Sequence, residues 1–276
     1  MKFAVICRAV VFAFASVSCV KKSARTGTAA SSLARPLKTQ PASQTTGRAP
    51  AGAKISYTSV PAQGQFIAMT FDDGPVPANT PRLLDMLKSR GIRATFFVVG
   101  RNAQAYPNII RRIIADGHEI ANHTWTHPWL SKMSDAGVRS ELQRSHDALF
   151  SLTGIAPRMY RPPYGAISAR QKQWIMSEFG YPTILWSVDP EDWRTRSASM
   201  THNRIVSQTR PGAIILVHDI HASSIDAMPS TLDDLLAKGF RFVTVSQLIG
   251  MSQNRGPATT PTVASVQGPT FTPGSF

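Results

Sequence analysis

Short apolar runs alternate with longer amphipathic segments through the middle of the chain. Seven runs rich in β-branched and aromatic residues predict strands: FIAMTF, ATFFVVG, HEIANH, RMYRPP, TILWSV, AIILVH and FRFVTV. Segments with apolar residues three or four positions apart predict helices, among them TPRLLDMLKSRG, YPNIIRRIIADG and DAGVRSELQRSHDALFSLTG. Alternation of strand and helix predicts parallel strands joined by crossover helices, as a barrel or as an open doubly wound sheet.

The two ends of the chain lack this pattern. Residues 1–19 have a cationic start, a short apolar stretch and small residues near Cys19, which predicts a secretory signal or, because Val17–Cys19 resembles a lipobox, a lipoprotein leader. Residues 20–56 and 251–276 are rich in small and polar residues and predict a disordered linker and tail. We therefore expect one folded domain at 57–250, in an exported protein that is released, periplasmic or attached to the cell envelope.

The positive charge lies mostly outside the predicted domain. The net charge is +14, but the first 54 residues hold nine Lys or Arg and no acid, and residues 55–250 carry a balance of only +4. We therefore predict that the protein does not bind nucleic acid. We also expect it to be a monomer. The basic arm is expected to be a solvated spacer or to lie along an anionic surface such as lipid headgroups or the cell wall.

Cysteine chemistry is excluded from the predicted domain. The two cysteines, Cys7 and Cys19, both fall within the leader. The remaining chain has no thiol for a disulfide, a thiolate metal site or a cysteine nucleophile.

Polar, reactive side chains follow the predicted strands at the points where these strands end. In parallel α/β folds of either layout, active sites lie at the carboxyl ends of the strands. The residues at these positions are Asp72, Asp73, His123, His127, Arg161, Asp189, Asp192 and His218. The pattern predicts an active site formed by several strand ends.

Asp72 and Asp73 are adjacent, so along a regular strand their side chains would point to opposite faces. Gly74 and Pro75 follow directly and end the strand, which can turn both carboxylates towards one pocket. An alternative interpretation is a turn whose carboxylates bond only to nearby amides.

His123 and His127 are four positions apart. One helical turn would place both imidazoles on one face, a spacing that suits two ligands of a single metal ion. On their own, the two residues could equally be surface or capping histidines. An aspartate from another strand end would complete a three-ligand site with positions open for water and substrate.

Five motifs in order carry a resemblance to a known family: TFDDGP, HTWTH, RPPYG, VDPEDW and LVH. They resemble the motifs of the polysaccharide deacetylases, carbohydrate esterase family 4, also called the NodB homology domain, and the resemblance covers Phe66 to Ile249. It implies a distorted (β/α)7 barrel with a single catalytic domain. It also implies removal of acetyl groups from glycans with a divalent metal, zinc first and cobalt or nickel as alternatives.

The resemblance implies a role for each motif residue. Asp73, His123 and His127 would be the metal ligands, and Asp72 would be the general base. Arg161 would pair with this base and keep it ionised.

The same resemblance implies a general acid and a substrate pocket. His218 would be the acid, oriented by Asp192. The backbone N–H of Tyr164 would stabilise the oxyanion, and its ring and that of Trp193 would pack against sugar. Trp193 and Leu216 would form the wall of the pocket for the acetyl methyl group.

We expect the remaining polar candidates to have structural, surface or loop-capping roles: His118, His146, His202, Asp189, Asp219 and His221.

The predicted function is N-deacetylation of N-acetylglucosamine units in peptidoglycan or in a chitin-like or poly-N-acetylglucosamine glycan. One alternative is an acetylxylan esterase, because the same machinery can attack an ester carbonyl. The alternative of a different class is a catalytically silent glycan-binding domain of the cell envelope.

Overall fold

Strands and helices alternate along residues 54–253, the part of the chain that the computed structural model describes. The strands are β1 Ser56–Tyr57, β2 Phe66–Asp72, β3 Thr95–Val98, β4 Glu119–Asn122, β5 Thr183–Ile184, β6 Ile214–His218 and β7 Arg241–Phe242. The helices are α1 Thr80–Ser89, α2 Gly100–Ala105, α3 Pro107–Ala115, α4 Asp135–Thr153, α5 Ala169–Phe179, α6 Asp192–Thr195, α7 Ala198–Gln208, α8 Ala222–Ala237 and α9 Val245–Gln253. Two short 3₁₀ turns lie at Leu130–Lys132 and Pro163–Gly165.

The strands form a closed, irregular parallel barrel. Strands β4, β3, β2 and β6 are hydrogen-bonded in this order, and β7 pairs with the first two residues of β2. The ring closes through single bridging residues: Tyr160 pairs with Asn122 on one side and Thr183 on the other, and Val188 pairs with Ile215. The expected distorted barrel is confirmed, and the open-sheet alternative is excluded.

Three of the seven predicted strands are wrong in extent, among them FRFVTV, which shortens to Arg241–Phe242. The run RMYRPP contributes one bridging residue, Tyr160, because Pro162 and Pro163 follow it and have no N–H to donate to a ladder. The run TILWSV shortens to Thr183–Ile184 and a separate bridge at Val188. Strand β1 was not predicted, since its two residues pair only with β5 and show no periodicity.

The ends of the fold lie slightly outside the predicted 57–250. Strand β1 starts at Ser56, and the Ile55 carbonyl accepts a hydrogen bond from the Thr183 N–H. At the other end, α9 continues to Gln253. The predicted leader and nearly all of the predicted linker and tail lie outside the described residues. Within residues 54–253, no helix is both long and apolar enough to cross a bilayer.

The side chains of the barrel strands separate into two apolar cores. Alternate residues point inwards or outwards, so each strand contributes to both cores. The inner cluster includes Ala68, Phe97, Ala121, Ile184 and Ile214, together with Val245 and Leu248 of α9. Helix α9 therefore covers the barrel end at which the strands begin. The opposite end, where the strands finish, is left for the functional site.

Candidate active site

The carboxyl ends of the barrel strands meet around one pocket of about 500 Å³. Eight of the ten residues assigned to the site by sequence line it: Asp72, Asp73, His123, His127, Tyr164, Trp193, Leu216 and His218. The other two, Arg161 and Asp192, are fully buried behind it. The site is thus assembled from segments that are far apart in sequence.

Asp72 and Asp73 face the same pocket because the strand ends between them. Asp72 is the last residue of β2, and Asp73 adopts a left-handed backbone conformation with φ 77°. The Asp72 Oδ2 and Asp73 Oδ1 atoms lie 3.7 Å and 3.3 Å from the Nε2 of His123. The two carboxylates therefore serve one site, and the interpretation as a simple turn is wrong.

His123 and His127 come together through a loop, so the expectation of a helical turn is wrong. Thr124 and His127 both have φ 67°, which a helix does not allow. The loop is held by its own polar side chains: the Thr124 N–H donates to Asn122 Oδ1 at 2.8 Å, and the His127 N–H donates to Thr124 Oγ1 at 3.0 Å. The two imidazole centroids end 4.9 Å apart.

Asp73, His123 and His127 fit a metal ion. Their ligand atoms all lie within 4.8 Å of one another. The His123 Nδ1–H donates to the Arg161 carbonyl at 2.7 Å, which leaves the Nε2 lone pair free towards the pocket. Asp73 Oδ1 is buried and makes no hydrogen bond with any of the described residues. Burial alone would raise the pKa of Asp73, but His123 and His127 outweigh it and hold that pKa well below its usual value.

The Asp72 carboxylate is fixed by a buried arginine. The Arg161 Nη1 donates to Asp72 Oδ1 at 2.6 Å and to Thr70 Oγ1 at 2.8 Å. The rest of the guanidinium donates to the carbonyls of Ile184 and Leu185. This ion pair therefore occupies one Asp72 oxygen and leaves Oδ2 directed at His123.

His218 and Asp192 form a hydrogen-bonded pair on the other flank. The His218 Nδ1–H donates to Asp192 Oδ1 at 2.8 Å, while Asp192 Oδ2 accepts from the His218 backbone N–H and the Ser224 hydroxyl. Burial lowers the pKa of His218, but the bond to Asp192 and the nearby carboxylates raise it to about 9. These contacts favour the protonated imidazole, which is the form that a general acid requires.

Comparison with known proteins agrees with this arrangement of side chains. The family described as polysaccharide deacetylase matches residues 59–184. A peptidoglycan N-acetylglucosamine deacetylase of Bacillus cereus is 39% identical over 207 residues, covering 73% of this chain and 75% of that relative. The chain belongs to the polysaccharide deacetylase family, carbohydrate esterase family 4. Enzymes of this family depend on a divalent metal, and the Asp73, His123 and His127 donors of this chain fit one.

A second relative and a solved structure agree with the family assignment. The peptidoglycan N-acetylglucosamine deacetylase PgdA of Listeria monocytogenes is 37% identical over 201 residues, which are 73% of this chain but only 42% of that relative. This chain therefore spans less than half the length of PgdA. A crystal structure of a peptidoglycan N-acetylglucosamine deacetylase superposes with a TM-score of 0.67 at 38% identity, covering 71% of this chain and 94% of that one.

Aromatic side chains form the rim of the pocket. Tyr164 is 55% exposed and Trp193 48%, an exposure that leaves their ring faces open to a ligand. Trp129, 46% exposed, also lines the pocket, as do Trp186 and Pro162. Sequence analysis missed these three. The only sequence signal was that Trp129 lies two residues after His127 and that Trp186 and Pro162 adjoin predicted strand ends.

Asp219 caps a loop and does not belong to the metal group. Its carboxylate accepts a hydrogen bond from the Thr80 hydroxyl at 2.5 Å, and its N–H donates to the Asp72 carbonyl. Gly74 packs so closely against it that a Cβ at this position would collide with both carboxylate oxygens. Burial raises the pKa of Asp219 to about 7, helped by the charges of Asp73 and Asp72.

The other polar candidates have local partners. His118 Nδ1 accepts the Ala94 N–H, while His146 bonds Tyr181 and His202 bonds Thr231. Asp189 accepts from the Trp186 indole and from the Glu191 N–H, so it supports the turn as expected, although it also lines the pocket. His221 is the residue before α8, with its ring centroid 6.0 Å from that of His218.

Proposed function

We propose that this chain is a metal-dependent deacetylase that removes N-acetyl groups from N-acetylglucosamine units of peptidoglycan. The observation that carries the proposal is the juxtaposition of three groups: the Asp73, His123 and His127 donors, the Arg161-bound Asp72, and the Asp192-bound His218. A carboxylate and an imidazolium on opposite flanks of a metal site are the parts that amide hydrolysis needs.

Asp72 is proposed to be the general base. A divalent metal held by Asp73, His123 and His127 would supply an activated water and polarise the acetyl carbonyl. Asp72 Oδ2 would be the oxygen that accepts a proton, since Oδ1 is held by Arg161 at 2.6 Å. The guanidinium fixes the orientation of the Asp72 carboxylate through a charge-assisted hydrogen bond.

His218 is proposed to be the general acid. The amine of the sugar leaves poorly without a proton, and the His218 imidazolium can donate one from Nε2 because Nδ1 is bound to Asp192. The Tyr164 N–H is proposed as a further donor to the oxyanion, and Trp193 and Leu216 as the wall around the acetyl methyl group. Both side chains line the pocket.

Peptidoglycan is proposed as the substrate ahead of chitin-like glycans, because both relatives described above are named as peptidoglycan deacetylases. A cell-wall substrate agrees with an extracytoplasmic protein, for which the residues 1–19 are the proposed leader. Lipidation at Cys19 and attachment through the basic arm are part of the same proposal. Zinc is the proposed metal, since one carboxylate and two imidazoles are donors that it accepts in catalytic sites, while cobalt or nickel could replace it.

The test is mass spectrometry of acetylated glycans incubated with metal-loaded protein. We expect a loss of acetyl groups from peptidoglycan fragments and chitooligosaccharides, and none with His123→Ala. Deacetylation of acetylated xylan alone would make the protein an esterase. Stable glycan binding without acetate release, with zinc, cobalt or nickel added, would make it a silent binding domain and overturn the proposal.

A further inference from the structure

We infer that Lys132 binds an anionic group on the glycan, next to the sugar that is deacetylated. The ligand class is a carboxylate carried by a neighbouring sugar, such as the lactyl carboxylate of a muramyl unit. The inference deepens the proposed function and rests on it, because it selects carboxylate-bearing glycans over neutral chitin-like chains at the same pocket.

A continuous stack of rings leads from the metal donors to this lysine. The Tyr164 ring lies 4.7 Å from the imidazole of His127, and the Trp129 ring stacks on Tyr164 at 4.5 Å with an interplanar angle of 19°. The Lys132 Nζ lies over the Trp129 ring, 4.7 Å from its centroid. His127, Tyr164 and Trp129 all line the pocket, so the ammonium lies at its rim.

The backbone holds Lys132 in this position. The Lys132 N–H donates to the Trp129 carbonyl at 3.0 Å, which closes the 3₁₀ turn and brings the lysine back over the indole. Leu130, between them, is fully buried and anchors the turn in the core. The lysine backbone is therefore fixed beside Trp129, and the ammonium needs only side-chain rotation to reach a ligand at the rim.

The Lys132 charge is not neutralised within the fold. Lys132 is exposed and makes no ion pair with any residue between 54 and 253. The acids of the pocket have partners of their own: Asp72 has Arg161, Asp73 has the two histidines, and Asp189 has Trp186 and the Glu191 N–H.

The Trp129 ring holds this charge beside the pocket. Tyr164 stacks on the ring and the Lys132 ammonium lies over it, while Trp129 stays 46% exposed. An ammonium over an indole is held by the ring quadrupole and can still turn to meet an anion. A neutral glycan gains nothing from this arrangement, whereas a carboxylate gains a charge-assisted hydrogen bond.

The test compares two soluble tetrasaccharides with zinc-loaded full-length protein: neutral chitotetraose, and a peptide-free tetrasaccharide of alternating N-acetylglucosamine and N-acetylmuramic acid. For Lys132→Gln we expect the KM for the muramyl ligand to rise about three- to fivefold, the range of an exposed ion pair, with kcat nearly unchanged. The KM for chitotetraose should not change. Added salt should remove the difference between wild type and variant.

Lys54→Gln is the matched control. Lys54 is exposed and its Nζ also stands over an aromatic ring, 5.0 Å from the centroid of Tyr57, but neither residue lines the pocket. This variant should leave both KM values unchanged. Equal KM shifts for the two tetrasaccharides with Lys132→Gln, or no shift at all, would overturn the inference.

Calorimetric binding of the same two ligands separates this inference from the proposed function. If wild type released no acetate from either tetrasaccharide, the proposed function would fail. Weaker binding of only the muramyl ligand by Lys132→Gln would still support the anion site, and unchanged binding of both ligands would refute it.

Discussion

Asp72 and Asp73 show how two identical neighbours acquire different chemistry from their contacts. Asp72 is tied to the Arg161 guanidinium and is 3% exposed, whereas Asp73 turns away from the strand towards two imidazoles. A carboxylate paired with arginine suits proton transfer, and one among imidazoles suits a metal. Position along the strand could not separate the two roles, which only the resemblance to the family implied, since both side chains follow the same strand.

Replacement of Asp72 by asparagine should remove the base and keep the metal. We expect bound zinc to stay at the wild-type level, while kcat falls about 100- to 10,000-fold, the usual contribution of a positioned base. Metal analysis and acetate release on one sample measure both. His123→Ala is the contrasting variant and should lose metal and activity together. Wild-type turnover in Asp72→Asn would show that another group takes the proton.

Replacement of Asp192 by asparagine should change the pH dependence. Asp192 helps to raise the pKa of His218 to about 9, and a bound cation would lower this value by offsetting the charges of Asp72 and Asp73. A general acid works only while protonated, so activity is lost as pH rises through its pKa. Without the Asp192 charge, the alkaline limb of the kcat/KM profile should move to lower pH.

Ser224→Ala provides the control for the pH profile. The Ser224 hydroxyl donates to Asp192, so this change removes one hydrogen bond but keeps the carboxylate charge next to His218. The alkaline limb should then move less than in Asp192→Asn. An alkaline limb that stays in place in Asp192→Asn would rule out His218 as the acid.

At the scale of elements, the loops after β2 and β6 support each other. Asp72 and His218 are paired residues at the ends of these neighbouring strands, and Asp219 and Gly74 lie one and two positions further on. The Asp219 carboxylate fills the space beside the Gly74 Cα. The loop that carries the base and a metal donor is thus held by the residue that follows the acid.

Gly74→Ala should therefore weaken metal binding without removing any of the three donor side chains. A methyl group at this position collides with Asp219, and the loop must shift to relieve the contact. We expect zinc affinity to fall about 10-fold or more, as when support around a ligand is removed. Gly250→Ala is the control, since a Cβ there has no neighbour within 4 Å. Equal zinc affinity for Gly74→Ala and wild type in a chelator competition would contradict this account.

Helices and strands were predicted well where the hydrophobic pattern is long, and poorly where a strand pairs over only one or two residues. Strand β2 is a seven-residue apolar run, and α4 ends at Gly154 in the left-handed conformation that such glycines favour. Strands β1 and β5 have two residues each, too few to show a period. The loop between His123 and His127 escaped prediction because left-handed Thr and His depend on side-chain hydrogen bonds that spacing does not reveal.

At the scale of the whole molecule, the sequence grouped most of the polar residues that line the pocket but not all of its walls. Strand ends in a parallel barrel must meet, so the motif residues could be grouped before any coordinates were known. The place of Trp129 in the pocket could not be predicted, because an aromatic residue in a loop is buried or exposed according to the path of that loop. Its position depends on the buried Leu130 and on the stack with Tyr164.

The catalytic unit is predicted to need residues 54–253 and no more. A protein trimmed to this range should keep the kcat/KM of the full chain on soluble oligosaccharides. A version that begins at Pro61 loses β1 and the buried Tyr57 and Val60, and should lose about 2 kcal/mol or more of unfolding free energy. Thermal unfolding and acetate release measure both effects. Loss of activity in the 54–253 protein would place an essential group in the removed segments.

The most direct test is acetate release followed as metal is returned to metal-free protein. The account predicts no activity without metal, a linear recovery that saturates at one zinc per chain, and no recovery in His123→Ala at any zinc level. Full activity in the metal-free protein, or in His123→Ala, would contradict a reaction centred on one cation held by Asp73, His123 and His127.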